Sequence, residues 1–234
     1  MKKMIKFESE VLEIRQLTKD IVNVTFSVPT DFTFKAGQFV SIILEQEGKE
    51  IRRPYSIASS PLIRGTIDLM VKKKEGGTVS VYLTKLKKGD KVKFFGPMGH
   101  FTIKDSDREA AFIATGVGVA PFRAMIYTLL ENGTRKRIFL FLSVKYEDDL
   151  VYEDEWQGLE QKYPHFKHFV SVTRPSEKFK GNKGRVHTLL DEFLPADFKG
   201  DFYLCGINVM VEECEDNLAV RGISKERVFF EKYG

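Results

Sequence analysis

The 234 residues include only two cysteines, Cys205 and Cys214. Two thiols exclude a disulfide framework, and they cannot supply the four thiolates that an iron–sulfur cluster needs. Nowhere do about 18 apolar residues run together without a charge, so no membrane-spanning helix is expected. The opening Met1-Lys2-Lys3-Met4-Ile5-Lys6 reaches Glu8 and Glu10 without an apolar leader core, which reads as a cytoplasmic, unanchored chain. Basic residues are not interleaved with aromatics in an array suited to nucleic acid, and no metal site is expected.

What is present is ample for folding. A chain of this length accommodates two modest domains with separate cores. Hydrophobic content of 42% beside 30% charged residues excludes disorder, and 20 phenylalanines imply bulky cores. The formal net charge is +4, with Lys85, Lys87, Lys88, Lys91 and Lys93 crowded into one stretch. That density would suit an acidic partner, but on the pattern alone a solvated turn is the better account of it.

Residues 1–104 alternate with period two. Val22, Val24, Phe26 and Val28 share one strand face, as do Ile67, Leu69 and Val71. Further strands are predicted near 6–17, 38–45, 52–58 and 90–95, with turns at Gly48, Gly65, Gly89-Asp90 and Gly96-Pro97. These imply an antiparallel six-stranded β-barrel with one short helix, from about Thr78 to Leu86. Across Lys104-Asp105-Ser106-Asp107-Arg108 the pattern changes. Over 108–234, strands at 110–115, 137–144, 167–173, 201–205 and 226–230 alternate with helices at 119–132, 153–163, 187–194 and 207–219. Such alternation predicts an α/β domain with a doubly wound parallel sheet. Cys214 falls at helical spacing with Ile207, Met210, Val211 and Leu218, which makes it a core residue.

Three short strings carry chemistry. Arg53-Pro54-Tyr55-Ser56 puts a fixed cation, an aromatic plate and a hydroxyl on one extended segment, suited to a flavin's phosphates, ring face and polar ring edge. Gly77-Thr78-Val79-Ser80 opens a helix whose free N–H groups suit a phosphate, or is a plain cap by Thr78. Gly116-Val117-Gly118-Val119-Ala120-Pro121 lies where a strand gives way to a helix at the carboxyl edge of the parallel half, a place for a diphosphate. Its third position is Pro121, and no clean acidic residue ends the next strand about twenty residues on, which disfavours an ordinary Rossmann dehydrogenase. Cys205-Gly206 ends a strand at the same edge. Glu231 and Tyr233 stand at the C-terminus, where the plain reading is a frayed tail.

Taken in order, these strings resemble the ferredoxin–NADP reductase family over nearly the whole chain. The matching segments are Ala36-Gly37-Gln38-Phe39, Arg53-Pro54-Tyr55-Ser56-Ile57-Ala58-Ser59, Gly77-Thr78-Val79-Ser80, Gly96-Pro97-Met98-Gly99, Thr115 to Phe122, Tyr203-Leu204-Cys205-Gly206 and Glu231-Lys232-Tyr233. The resemblance implies that Arg53 and the Gly77, Thr78, Val79 and Ser80 turn bind the flavin diphosphate. Pro54 and Val71 help line the flavin, Tyr55 packs on one ring face, and Ser56 hydrogen-bonds near the hydride-accepting nitrogen. It places the nicotinamide at Thr115, Gly116, Val117, Gly118 and Pro121 and against Cys205 and Gly206, with Glu231 at the reacting centre and Tyr233 on the other flavin face. Ser56, Cys205, Glu231 and Tyr233 thus form the implied catalytic set, Cys205 as a positioning thiol rather than a nucleophile. Thr173-Arg174 resembles the pair that holds a 2′-phosphate, and a guanidinium fork suits that group. Val117 departs from the hydroxyl residue often found there, and Gly234 extends past the aromatic that often ends such chains.

The implied activity is hydride uptake from NADPH, in preference to NADH, with electrons passed singly to ferredoxin or flavodoxin. The alternatives are an NAD(P)H:flavin reductase and a reductase subunit of a multicomponent enzyme. The adenine end has no motif of its own, so the residues leave FAD and FMN open; the family favours FAD.

Overall fold

A computed structural model describes residues 4–104 and 107–233 of the chain. Asp105 and Ser106 of the expected link, Met1 to Lys3 and Gly234 lie outside the described residues. The chain divides into two compact units: one runs through Ile103 and takes in Ala120–Glu131, and the other comprises Lys104–Val119 and the chain from Asn132 onward.

In the first unit, strands β1 (Ile5–Gln16), β2 (Ile21–Ser27), β3 (Phe39–Gln46), β4 (Lys49–Ser56), β5 (Thr66–Lys72) and β6 (Lys91–Met98) form one antiparallel sheet. The order is β4-β3-β6-β1-β2-β5. Its two edge strands meet at a single bridge, Ile57 to Leu69, so the sheet curls into a half-barrel. Period-two alternation sends Val11, Val22, Val24, Phe26, Ile42, Leu69 and Phe94 into one core. Phe26 and Phe94 meet edge-on at 5.0 Å between ring centroids, and Phe7 lies 5.6 Å from Phe94. The fully buried rings of Phe26 and Phe94 each contribute on the order of 3–5 kcal/mol when judged by truncation to Ala. The short helix α1 (Thr78–Leu83) ends three residues before the expected Leu86, because Thr84 closes it, its hydroxyl bonded back to the Val81 carbonyl at 3.1 Å.

The helix predicted over 119–132 is α2 (Val119–Glu131), and its body clusters with the half-barrel rather than with the strands on either side of it in sequence. Phe122, Met125 and Ile126 are fully buried. Gly37, at φ +92°, is where the close fit shows: a Cβ there would overlap the Phe101 carbonyl oxygen and the Met125 terminal methyl.

The second unit is a parallel sheet of β7 (Ala110–Thr115), β8 (Ile138–Val144), β9 (Phe166–Val172), β10 (Asn182–Lys183), β11 (Asp201–Ile207) and β12 (Val228–Tyr233) in the order β10-β9-β8-β7-β11-β12. Helices α3 (Glu153–Lys162), α4 (Val186–Phe193) and α5 (Asn208–Val220) alternate with the strands. Every residue of β8 is buried, as expected of a strand covered on both faces. Cys214 is buried against Met210, with Sγ to Sδ at 3.8 Å, which bears out its reading as core. The strand expected at 226–230 runs instead to Tyr233, so Glu231 and Tyr233 are not a frayed tail. Pairing with β11 over the full length of β12 outweighs the two charged residues at its end.

Candidate active site

Strand order decides where the second unit can bind. β7 sits between β8 and β11, and the sequence order of the strands reverses there, so the carboxyl ends of β7 and β11 flank the crevice where open α/β sheets take ligands. β7 ends at Thr115 and passes into the 3₁₀ turn Gly116–Gly118, which leads directly into α2. Gly116 has φ +52°, a left-handed backbone that favours glycine. Gly118 is held for a different reason, since a Cβ there would overlap the carbonyl group of Cys205. A Cβ on Gly206 would likewise strike the Thr115 hydroxyl oxygen and the end of the Met210 side chain. The two turns therefore touch backbone to backbone.

The Thr115 hydroxyl is buried without a hydrogen-bond partner. It begins a row, for Thr115 is in register with Ser143, Ser143 with Ser171 and Ser171 with Asn182 across the carboxyl edge of the sheet. Ser171 Oγ is also buried and unpartnered, while Ser143 Oγ donates to the Gly184 carbonyl at 3.4 Å. An orphaned hydroxyl beside a glycine turn at this edge fits a polar ligand such as a nicotinamide nucleotide.

On the other side of β11, Cys205 is directly in register with Glu231, and Ile207 with Tyr233. The Cys205 thiol is held far above the usual thiol range, first by burial and then by the Glu231 charge, with a hydrogen bond to Tyr233 pulling the other way. It stays protonated at neutral pH, which does not suit a nucleophile.

At the far end of the edge, the Thr173 and Arg174 amides donate to the carbonyls of Val144 and Lys145, both at 2.9 Å. Arg174 is exposed, and its hydrogen bond to Tyr146 leads in drawing that phenol below its usual range, with Lys145 adding to the effect. The Lys145 ammonium lies 5.1 Å from the Tyr146 ring centre. Lys145 and Tyr146 were not singled out in the sequence, nor were Ser143 and Ser171. The available signal was their position at or just past the carboxyl ends of buried strands.

In the first unit, Arg53 to Ser56 lies on the edge strand β4, where Pro54 is tolerated because its missing N–H is not needed by a neighbouring strand. The Arg53 side chain is exposed, with Nη1 on its neighbour's carbonyl at 2.8 Å. Tyr55 is half-buried against the core; burial lifts its phenol to about 12, offset in part by Arg53, so it presents a neutral plate. Ser56 and Val71 are buried. At the start of α1, the N-cap is Gly77 with no side-chain cap, so Thr78 does not cap the helix. The Ser80 hydroxyl instead accepts the Lys74 amide at 3.1 Å, and a Cβ on Gly77 would lie 2.7 Å from that oxygen. First-turn N–H groups without a capping side chain, an exposed cation and an open strand edge fit a flavin with a diphosphate. When bound, FAD accepts a hydride and releases electrons one at a time.

Comparison with known proteins agrees. The signature of the oxidoreductase FAD-binding domain matches residues 8–103, and that of the oxidoreductase NAD-binding domain matches residues 112–216. Ferredoxin–NADP reductase B of Sorangium cellulosum is 30% identical over 97% of both chains. The chain belongs to the ferredoxin–NADP reductase family. The reductase is thus an FAD- and pyridine-nucleotide-binding oxidoreductase. It is also 28% identical to the phenol hydroxylase P5 protein of Acinetobacter pittii, over 97% of this chain and 65% of that one. Its fold is that of the FAD/NAD-binding domain of a nitric oxide dioxygenase from Vibrio cholerae (TM-score 0.87, 24% identity, 97% and 98% of the two chains). A ferredoxin NADP+ reductase from Neisseria gonorrhoeae shares it too (TM-score 0.84, 21% identity, 97% and 98%). Among the described residues, no helix is long and apolar enough to cross a membrane.

Proposed function

We propose that this reductase takes hydride from NADPH, in preference to NADH, and passes electrons singly to a small carrier protein of the ferredoxin or flavodoxin type in the cytoplasm. The observation that carries the nucleotide half of this reading is the paired turn at Gly118 and Cys205, where backbone groups meet beside the unpartnered Thr115 hydroxyl. The full-length relative named for ferredoxin supports the acceptor class.

In this reading, residues 1–104 form the flavin domain and residues 108–234 the nucleotide domain. Arg53 and the Gly77 to Ser80 turn hold the flavin diphosphate, Pro54, Tyr55 and Val71 line the flavin, and Ser56 serves the polar ring edge. Thr115, Gly116, Val117, Gly118 and Pro121, with Cys205 and Gly206, hold the nicotinamide end. Glu231, beside Cys205 in the sheet, orients the reacting carbon's surroundings, and Tyr233 competes with the nicotinamide for the ring system. Thr173 and Arg174, joined by Lys145 and Tyr146, take the 2′-phosphate; two cations around one phenol suit a dianion. Steady-state rates with NADPH and NADH, each against ferredoxin, flavodoxin and free flavin, test the reading. Comparable rates with free flavin alone would overturn the carrier. A second reading, a reductase component of a multicomponent oxygenase, draws on the likeness to the phenol hydroxylase P5 protein; co-purification with an oxygenase would favour it.

A further inference from the structure

We propose that Arg123 is a positioning residue that sets where the end of β4 presents Ser56 to the flavin; this rests on the functional reading above. Arg123 lies on α2, about one helical turn past Gly118. Its guanidinium is 14% exposed, and its Nη1 donates to both the Ala58 carbonyl at 3.0 Å and Asp68 Oδ2 at 3.2 Å. Asp68, 18% exposed, takes a second hydrogen bond on Oδ1 from the Thr25 hydroxyl at 2.7 Å.

These contacts gather at the seam of the half-barrel. The Ile57 amide reaches back to the Gln38 carbonyl at 3.0 Å, and the Ala58 amide crosses to the Asp68 carbonyl at 2.8 Å. The Asp68 amide donates to Ser59 Oγ at 3.0 Å, and Ser60 Oγ donates to Glu131 Oε2 at 3.0 Å, farther along α2. β4 thus leaves its ladder after Ser56, and the next four residues are held one by one by the Gln38 carbonyl, β5 and α2. The Ala58 carbonyl is secured by Arg123 alone among the hydrogen bonds described. A largely buried ion pair such as Arg123 with Asp68 is weak merely as a stability device, since apolar residues of similar volume do as well. What an apolar pair cannot supply is the donor to the Ala58 carbonyl, two residues from Ser56. A misplacement of about 1 Å near reacting groups slows a reaction by roughly a hundredfold.

The test uses the full chain with FAD and a double variant, Arg123→Met with Asp68→Asn. It removes both charges together, keeps an acceptor for Thr25, and withdraws the hydrogen bond to Ala58 along with the guanidinium's place 5.2 Å from the Tyr127 ring centre. Tyr127→Leu, which keeps that hydrogen bond, is the control and should leave the reduction rate near parent. The expected result is a protein of near-parent thermal stability that reconstitutes with FAD. Its flavin reduction at saturating NADPH should fall roughly 10- to 100-fold, NADPH affinity should change less than about twofold, and the visible flavin band should be displaced. A parent-like reduction rate overturns the proposal, as does a loss confined to thermal stability or FAD affinity. Should the double variant not fold, Arg123→Lys decides, because it keeps the charge on a different donor geometry. A rate at least about threefold below parent with unchanged affinities supports the proposal, and a parent-like rate overturns it. Should the parent itself take no electrons from NADPH, the functional reading fails, and the displaced flavin band, which needs no nucleotide, still judges Arg123.

Discussion

In the proposed function, the edge strand of the half-barrel and the carboxyl edge of the parallel sheet are given the same problem, holding a dinucleotide-sized anion, and they bring different materials to it. At β4 the working groups are side chains: an exposed arginine, a half-buried tyrosine and a buried serine on a strand with one open side. At β7 and β11 they are mostly backbone, brought into contact because Gly118 has no side chain where the Cys205 carbonyl lies. Side-chain sites can be weakened in steps, whereas a backbone contact tolerates no added atom.

Gly118→Ala should therefore have the largest effect. The new Cβ meets main-chain atoms of Cys205 and Gly206, which move only if the whole turn moves, so NADPH-dependent activity is expected to drop at least about 100-fold. Flavin content should be retained. Gly116→Ala sharpens the contrast: no atom lies within 4 Å of its Cβ, and only the left-handed backbone is penalised, by about 1–2 kcal/mol. Equal losses in the two variants, measured as kcat/KM for NADPH, would contradict the backbone account.

Arg53→Ala comes next. Loss of a charge-assisted contact worth about 1.5–3 kcal/mol weakens FAD roughly 10- to 150-fold. Fluorescence titration of the apoprotein reads this directly, and unchanged FAD affinity removes Arg53 from the flavin site. Arg174→Ala should raise KM for NADPH about tenfold and leave NADH nearly unchanged, since only the former carries the extra phosphate. Lys145→Ala should act in the same direction more weakly, as a point charge without the fork. If NADH use falls equally, the cluster at Tyr146 is structural.

A last effect concerns pH, and it acts on stability rather than on either site. Burial lifts the Cys214 thiol to about 12, against about 8.5 in an unfolded chain. The folded state then keeps a proton that the unfolded state gives up. This contribution is complete below about pH 8.5 and is lost as pH climbs toward the folded value, with a slope of up to about 1.4 kcal/mol per pH unit. Denaturant midpoints between pH 7 and 11 should fall, and Cys214→Ala should flatten that fall. A midpoint in the variant that declines as steeply as in the parent assigns the loss to other groups.

Much of this protein could be read from its residues. Period-two alternation located the strands of the half-barrel, and the shift to strand and helix in turn identified the parallel sheet, because burying one face of a strand or helix leaves its period in the sequence. The glycine turns were legible too, since glycine marks backbone that other residues cannot follow. Folding decided the rest. Nothing local says that α2 packs on the half-barrel, that its Arg123 meets Ala58 and Asp68, or that Lys145 and Tyr146 join Arg174 from a different strand. Nor does the charged run Glu231-Lys232 announce a strand; pairing with β11 makes it one and sets Glu231 beside Cys205. Local conformation is written in neighbouring residues, whereas contacts between distant segments depend on which faces the whole chain buries together.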